Sequence, residues 1–183
     1  MCSSDLVLLT QTERDEAEAP AAEARRLLEL ELPHGFLAEV PVFWHCKTSG
    51  VDCKGKIDAL SIHDGVVTVC DLKTFGQPLS HDAIQRQAAT LRYHGQAAWY
   101  IDAARAYCEQ NFIAAHTFRF AFLWVESQPP HCTAWTFASD EFLARGALLA
   151  KQVRLLYREC MDDEKMWSLG PTIPSVLELP KWA

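Results

Sequence analysis

The sequence predicts an α/β fold: one mixed β-sheet, an antiparallel meander plus further strands, flanked by helices. Three observations predict it. Strand patterns follow one another between 36 and 75, the last two joined by the hairpin signal HDG at 63–65. A helical pattern of about 81–108 separates them from two more strand patterns at 116–126 and 131–138. Further helical patterns stand before and after, at 11–31 and from Ser139 onward. A hairpin meander followed by a helix and a further strand closes into one sheet covered by helices.

Residues 11–31 (QTERDEAEAPAAEARRLLELE) are rich in Ala, Glu, Arg and Leu and read as a helix that Pro20 starts or interrupts. The breaker PHG at 33–35 leads into the first strand, FLAEVPVFW at 36–44, with Glu39 between apolar neighbours. HCKTSGVD at 45–52 reads as a turn, and CKGKIDALSI at 53–62 as the second strand. Strict alternation puts Lys56, Asp58 and Leu60 on one side of it, Ile57 and Ala59 on the other. The third strand is VVTVCDLKTF at 66–75, apolar enough at its start to be covered on both faces. Ser80 ends the loop GQPLS and caps the long helix. SQPP turns the chain between the last two strands, and Ser139 opens the final helix. Trp44, Trp99, Trp124 and Trp135 are expected in the core.

The chain has 183 residues, enough for one domain spanning 1–183, with 1–10 expected to be flexible and 161–183 to form an irregular C-terminal tail. Apolar residues make up 49% and charged residues 22%, an ordinary folded composition. The seven Cys are scattered, with no CxxC or CxxH pair, which disfavours zinc and iron–sulfur centres. With no secretory pattern at the start, they fit reduced thiols in a cytoplasmic protein. No stretch is long and apolar enough for a membrane span. The net charge of −7 lacks the basic footprint of a nucleic-acid binder. Basic groups need only line one groove, however. Lys47, Lys54, Lys56, Arg86 and Arg92 cluster in sequence, and Lys151, Arg154 and Arg158 share a helix face; both sets are equally consistent with a solvated surface.

The informative feature is a set of residues. Glu39 lies on the first strand, Asp58 on the second in GKIDAL, and Asp71 and Lys73 end the third in VCDLKT. After a run of apolar residues, Asp71 and Lys73 appear at spacing two and point to one face. Charges at the end of a buried strand cost desolvation energy unless they are paired or bind an ion. Carboxylates gathered at one point repel each other, and a divalent cation relieves that repulsion. Oxygen ligands favour Mg2+, with Mn2+ as a substitute, over zinc. A surface ion pair accounts for Asp71 and Lys73 alone; Asp58 across the hairpin and Glu39 before it favour a metal site.

These motifs resemble the PD-(D/E)XK nuclease superfamily, in its branch of RecE-like phage exonucleases and RecB-like nucleases. GKIDAL and VCDLKT carry the resemblance. YHGQAAWY at 93–100 adds to it, with Gln96 and Tyr100 in the positions of a Q-x-x-x-Y helix motif, as do FLWVES-QPP and the ending SVLELPKW. It implies a restriction-endonuclease-like sheet and a Mg2+-dependent deoxyribonuclease. Asp58, Asp71 and the Leu72 carbonyl would hold the metal, with Glu39 completing the site. Lys73 would orient or activate the attacking water. Gln96 and Tyr100, one helical turn apart, would contact the metal site or the DNA, as would Arg92. It further implies an exonuclease at double-stranded DNA ends in recombination or phage DNA processing, a homo-oligomeric ring, and a single-strand annealing protein as partner, in a bacterial or phage-infected cytoplasm. The chain departs from the pattern in one respect: the family's metal-associated His on an N-terminal helix has no counterpart, the first His being His34 in the PHG turn. An endonuclease or repair nuclease of the same fold, and an inactive nuclease fold kept as a DNA-binding module, are the alternatives.

Overall fold

The computed structural model describes residues 10–163. The expectations for 1–9 and for 164–183 lie outside the described residues. The elements are α1 (Gln11–Glu31), β1 (Leu37–Cys46), β2 (Val51–His63), β3 (Val66–Phe75), α2 (His81–Thr90), α3 (Tyr93–Gln110), β4 (Thr117–Glu126), β5 (Thr133–Phe137) and α4 (Asp140–Asp162). The sheet order is β1-β2-β3-β4-β5. All neighbours are antiparallel except β3 and β4, which run parallel across the α2–α3 crossover. The expected mixed sheet between helices is therefore the observed one.

Local chemistry explains most boundaries. Thr10 and Glu13 form a capping box on α1. Pro20 neither starts nor interrupts this helix but lies inside it. It removes one backbone hydrogen bond on a turn whose neighbours Glu16–Ala19 are exposed, so water can serve the freed carbonyl. Ser80 and Ser139 cap α2 and α4 through Ala83 N and Phe142 N. Asp64 and Gly65 turn the β2–β3 hairpin with φ of 47° and 71°, as a primed turn requires. α4 runs on to Asp162, beyond the residue at which an irregular tail is expected.

One helix is not continuous. The single helix expected over about 81–108 is two, broken at Leu91 and Arg92, where Arg92 takes a left-handed φ of 53°. No Gly or Pro marks the break. Tertiary packing makes it: restarting at Tyr93 lets that ring stack on Phe122, with centroids 5.8 Å apart. α3 then lies on the sheet through Ala97, Ala103 and Ala104, all fully buried, whose small side chains permit a close approach. α4 crosses α3 more tightly still, for a Cβ on Gly146 would sit 1.8 Å from the His94 carbonyl oxygen. The main core fills the space between α2, α3 and the sheet, including Ile57, Leu60, Val67, Val69, Phe120 and Trp124. A smaller core of Ala24, Ala59, Cys70, Leu123 and Val125 sits under α1.

Two irregularities in the sheet position everything that follows. First, strict alternation fails at Glu39 and Asp58. Val40 and Ile57 face α3, whereas Ala38 and Ala59 line the α1 side. Ile57 and Leu60, three residues apart, share the main core, and Ala59 opposes both. This corrects the expected faces of the second strand. The register runs Ala38↔Ala59 and Val40↔Ile57, with Glu39 and Asp58 unpaired between them and Glu39 at φ 56°. The register is the same on both sides of this unpaired couple, so no residue is inserted; the strands turn over there, and side chains beyond it face the opposite way. Second, β2 and β3 pair from His63↔Val66 only as far as Ala59↔Cys70. Beyond that point β2 continues with β1 to Val51, and β3 continues with β4 to Phe75. The sheet forks, and the fork opens between Asp58 and Asp71.

Candidate active site

Asp71 sits at the apex of the fork, on the α3 face of β3. It is 2% exposed. Its Oδ1 accepts a hydrogen bond from Gln96 Nε2 at 2.8 Å, and its Oδ2 lies 2.6 Å from Lys73 Nζ. Lys73 Nζ also donates to Gln96 Oε1 at 2.9 Å. One amide thus bridges a carboxylate and an ammonium, closing a triangle. Lys73 Nζ lies 4.5 Å from the centroid of the Tyr93 ring, a cation–π contact on its remaining side.

Asp58 faces Asp71 across the fork. Its Oδ2 accepts from the Leu72 backbone N–H at 2.9 Å, replacing the ladder bond that β2 no longer supplies. In an extended strand the N–H and C=O of one residue point to the same edge, so the Leu72 carbonyl opens into the fork as well. Burial, the largest cause, pushes the Asp71 carboxyl up to about 6; Lys73 pulls it down and the Asp58 charge raises it. The Cys70 thiol is also pushed up, by burial first and then by the charges of Asp71 and Asp58. Both shifts mark the fork as a place where burial disfavours negative charge.

Glu39, Asp58 and Leu72 line one hollow of ≈ 270 Å3 on the α1 side, with Arg25, Leu28 and Phe36 among its other walls. The structure therefore brings Asp58, Asp71, Leu72, Lys73 and Gln96 together, with Glu39 at the margin. Glu39 is exposed and ion-paired to Lys56. Among the described residues no group of three or more His, Cys, Asp and Glu converges into a metal cage. The donor set still suits Mg2+, which is held by one or two carboxylates and keeps its other positions for water and phosphate. Two carboxylates, one of them buried with a raised pKa, and a strand carbonyl on a shared edge meet that requirement.

Tyr100 does not join the cluster. It lies against Gly55 and stacks on Phe120, with centroids 6.5 Å apart. Arg92 lines a separate hollow with His94, Arg145 and Gln152. Arg154 leaves the surface set: it is buried, ion-paired to Asp102 and stacked over Trp99. Glu126 is a loop anchor, accepting from Leu79 N at 2.6 Å and Cys132 N at 3.3 Å. Tyr93 was not among the sequence candidates. Its spacing of three from Gln96 puts both on one helix face, and that spacing was the available signal. α1 carries no His, and the residues it places in the hollow are Ala21, Ala24, Arg25 and Leu28.

The model of the family described as "PDDEXK-like domain of unknown function (DUF3799)" matches residues 33–167. No curated protein sequence matches the chain. Among solved structures, it resembles a candidate exonuclease from Eubacterium rectale, with a TM-score of 0.57 and 18% identity over 93% of this chain and 64% of that one. The chain thus spans less than two thirds of that protein. A second structure, that of SSO0001, aligns over 86% of this chain and 73% of that one at 15% identity, with a TM-score of 0.36.

Proposed function

We propose a nuclease function for this chain, which belongs to the PDDEXK-like domain family and so to the PD-(D/E)XK superfamily. The specific reading is a Mg2+-dependent deoxyribonuclease of RecE-like type that degrades double-stranded DNA from its ends, in recombination or phage DNA processing. The observation that carries it is the Asp71 carboxylate, buried at the fork between Lys73, Gln96 and Asp58. A structural ion pair alone gives no reason to hold a second carboxylate opposite the first.

Asp58, Asp71 and the Leu72 carbonyl would hold the cation. When bound, it supplies charge neutralisation at the phosphate and lowers the pKa of a coordinated water. Lys73, drawn off Asp71, would orient the attacking water or contact a non-bridging phosphoryl oxygen. Gln96 fixes the separation of Asp71 and Lys73 by bonding to both. Tyr93 holds the ammonium from below without competing for its protons. A homo-oligomeric ring, a single-strand annealing partner, one domain over 1–183 and a cytoplasmic setting belong to the same reading. Among the described residues no helix is long and apolar enough to cross a membrane.

The closed Asp71–Lys73–Gln96 triangle also favours a second reading, an inactive nuclease fold that binds DNA. Incubation of linear and closed circular double-stranded DNA with Mg2+ or Mn2+ separates the readings. Loss of the linear DNA alone, abolished by Lys73→Ala, supports the exonuclease. Cutting of the circle supports an endonuclease, and binding without cutting supports the inactive module.

A further inference from the structure

One strand away from Asp71 lies an aromatic hollow of ≈ 350 Å3, bounded by α2, β4, β5 and the start of α4. Phe122 and Trp124 form its floor; Ile84, Ala88, Phe137 and Phe142 form its walls. The register fixes its place relative to the fork. Asp71 pairs with Phe122 and Lys73 with Trp124 in the parallel β3–β4 ladder. Neighbouring strands are about 4.8 Å apart. Tyr93 links the two without lining the hollow: Lys73 lies over its ring, and its centroid is 5.8 Å from that of Phe122 and 6.1 Å from that of Trp124 in the floor. At the rim stand His81 and Gln85, exposed and making no side-chain hydrogen bond within the described residues.

We propose that this hollow receives a single nucleobase, unstacked from the strand whose phosphate lies at Asp71. The inference rests on the nuclease reading and adds a requirement to the substrate: an unpaired nucleotide beside the phosphate being cut. At ≈ 350 Å3 the hollow has room for a nucleobase and excludes a duplex. Chemistry selects a base over a purely apolar group. Phe137, exposed on the wall, and the half-buried Phe142 supply a stacking surface for any base, while Phe122 and Trp124 are buried beneath them. The Gln85 amide offers a donor and an acceptor side by side, the pattern a base edge presents. The pairing of Asp71 with Phe122 and of Lys73 with Trp124 puts the base and its own phosphate on adjacent strands. A duplex end that frays would supply such a nucleotide at lower energetic cost than a paired interior.

The test uses short duplexes in which one base at a time, over the terminal positions, is replaced by an abasic analogue. Affinity for each is measured by fluorescence anisotropy with the full chain carrying Asp71→Asn, which traps substrate without cutting. At one position the abasic analogue should weaken binding about tenfold, the scale of one base–aromatic stack. The penalty should vanish in Phe137→Ala and in Ala89→Phe, both at exposed positions on the hollow where the fold tolerates change. A flat abasic profile, a penalty unchanged in both variants, or no DNA binding overturns the proposal. Cleavage of linear DNA by the unaltered chain is read in parallel. Cutting with a flat profile removes the hollow and leaves the nuclease; a position-specific penalty without cutting does the reverse.

Discussion

Asp71→Asn should abolish cleavage and yet stabilise the metal-free fold. Burial raises the Asp71 carboxyl from 3.8 to about 6. An acid with a raised folded pKa holds its proton more tightly in the native state than in the unfolded chain. Between pH 3.8 and 6 the native state therefore binds more protons, and stability falls as pH rises through that window. Above 6 the loss is complete. A shift of roughly two units corresponds to about 3 kcal/mol. Asparagine removes the charge while keeping the shape, so the variant should be more stable by up to about 3 kcal/mol at pH 7, with the difference closing near pH 4. Urea unfolding of both chains in EDTA at pH 4, 5, 6 and 7 measures this directly. Mg2+ should narrow the gap at pH 7 by stabilising the wild type alone. A variant less stable than the wild type at pH 7, or a gap independent of pH, would refute the reasoning, because Lys73 and Gln96 would then satisfy the carboxylate fully.

Three further outcomes follow from named contacts. Lys73→Ala should reduce cleavage of linear DNA by about 10²–10⁴-fold, the range for a positioned proton-transfer or charge-stabilising group, with affinity for DNA retained in an anisotropy titration. Gln96→Ala should lower kcat by about 10–100-fold with little change in KM, since it orients Asp71 and Lys73 but is not asked to bind substrate. Gly146→Ala should cost about 3 kcal/mol in a denaturation series, because its Cβ would meet the His94 carbonyl oxygen and force α4 away from α3.

The sheet and its helices were legible because their signals are local. Asp64-Gly65 can hardly be anything but a tight turn, and Ser80 and Ser139 both cap the helices they precede. The break between α2 and α3 was not legible, since the segment Thr90-Leu91-Arg92-Tyr93 has no breaker and the left-handed Arg92 is imposed by packing. The strand faces were misread for a related reason. Alternation counts residues and cannot see a break at which Glu39 and Asp58 drop out of the ladder together. That Asp71 and Lys73 share a face, with Asp58 across the hairpin, was nonetheless legible, because charged residues at the end of an apolar strand need a reason to be there. Tyr93 escaped because an aromatic on a helix reads first as core, and here its ring both packs on Phe122 and lies under Lys73.

The break in the β1–β2 ladder also decides what Glu39 does. Its carboxylate is exposed and held by Lys56, while its backbone sits at φ 56°, a conformation costing most residues about 1–2 kcal/mol. That left-handed residue is where β1 changes face, and across it Asp58 is freed from pairing to reach Leu72 N. The fork and the carboxylate pair therefore depend on the Glu39 backbone first and on its side chain second. Glu39→Gly keeps the conformation and removes the carboxylate; Glu39→Val opposes the conformation. The glycine variant should unfold within about 1 kcal/mol of the wild type and keep most of its cleavage, because Gly accepts a positive φ freely. The valine variant should lose about 2 kcal/mol relative to glycine and most of its activity with it. Denaturation midpoints and linear-DNA cleavage measured on the pair separate the two contributions. Full stability without cleavage in the glycine variant would make Glu39 a working carboxylate and move the metal to the α1 side of the fork, among Glu39, Asp58 and Leu72.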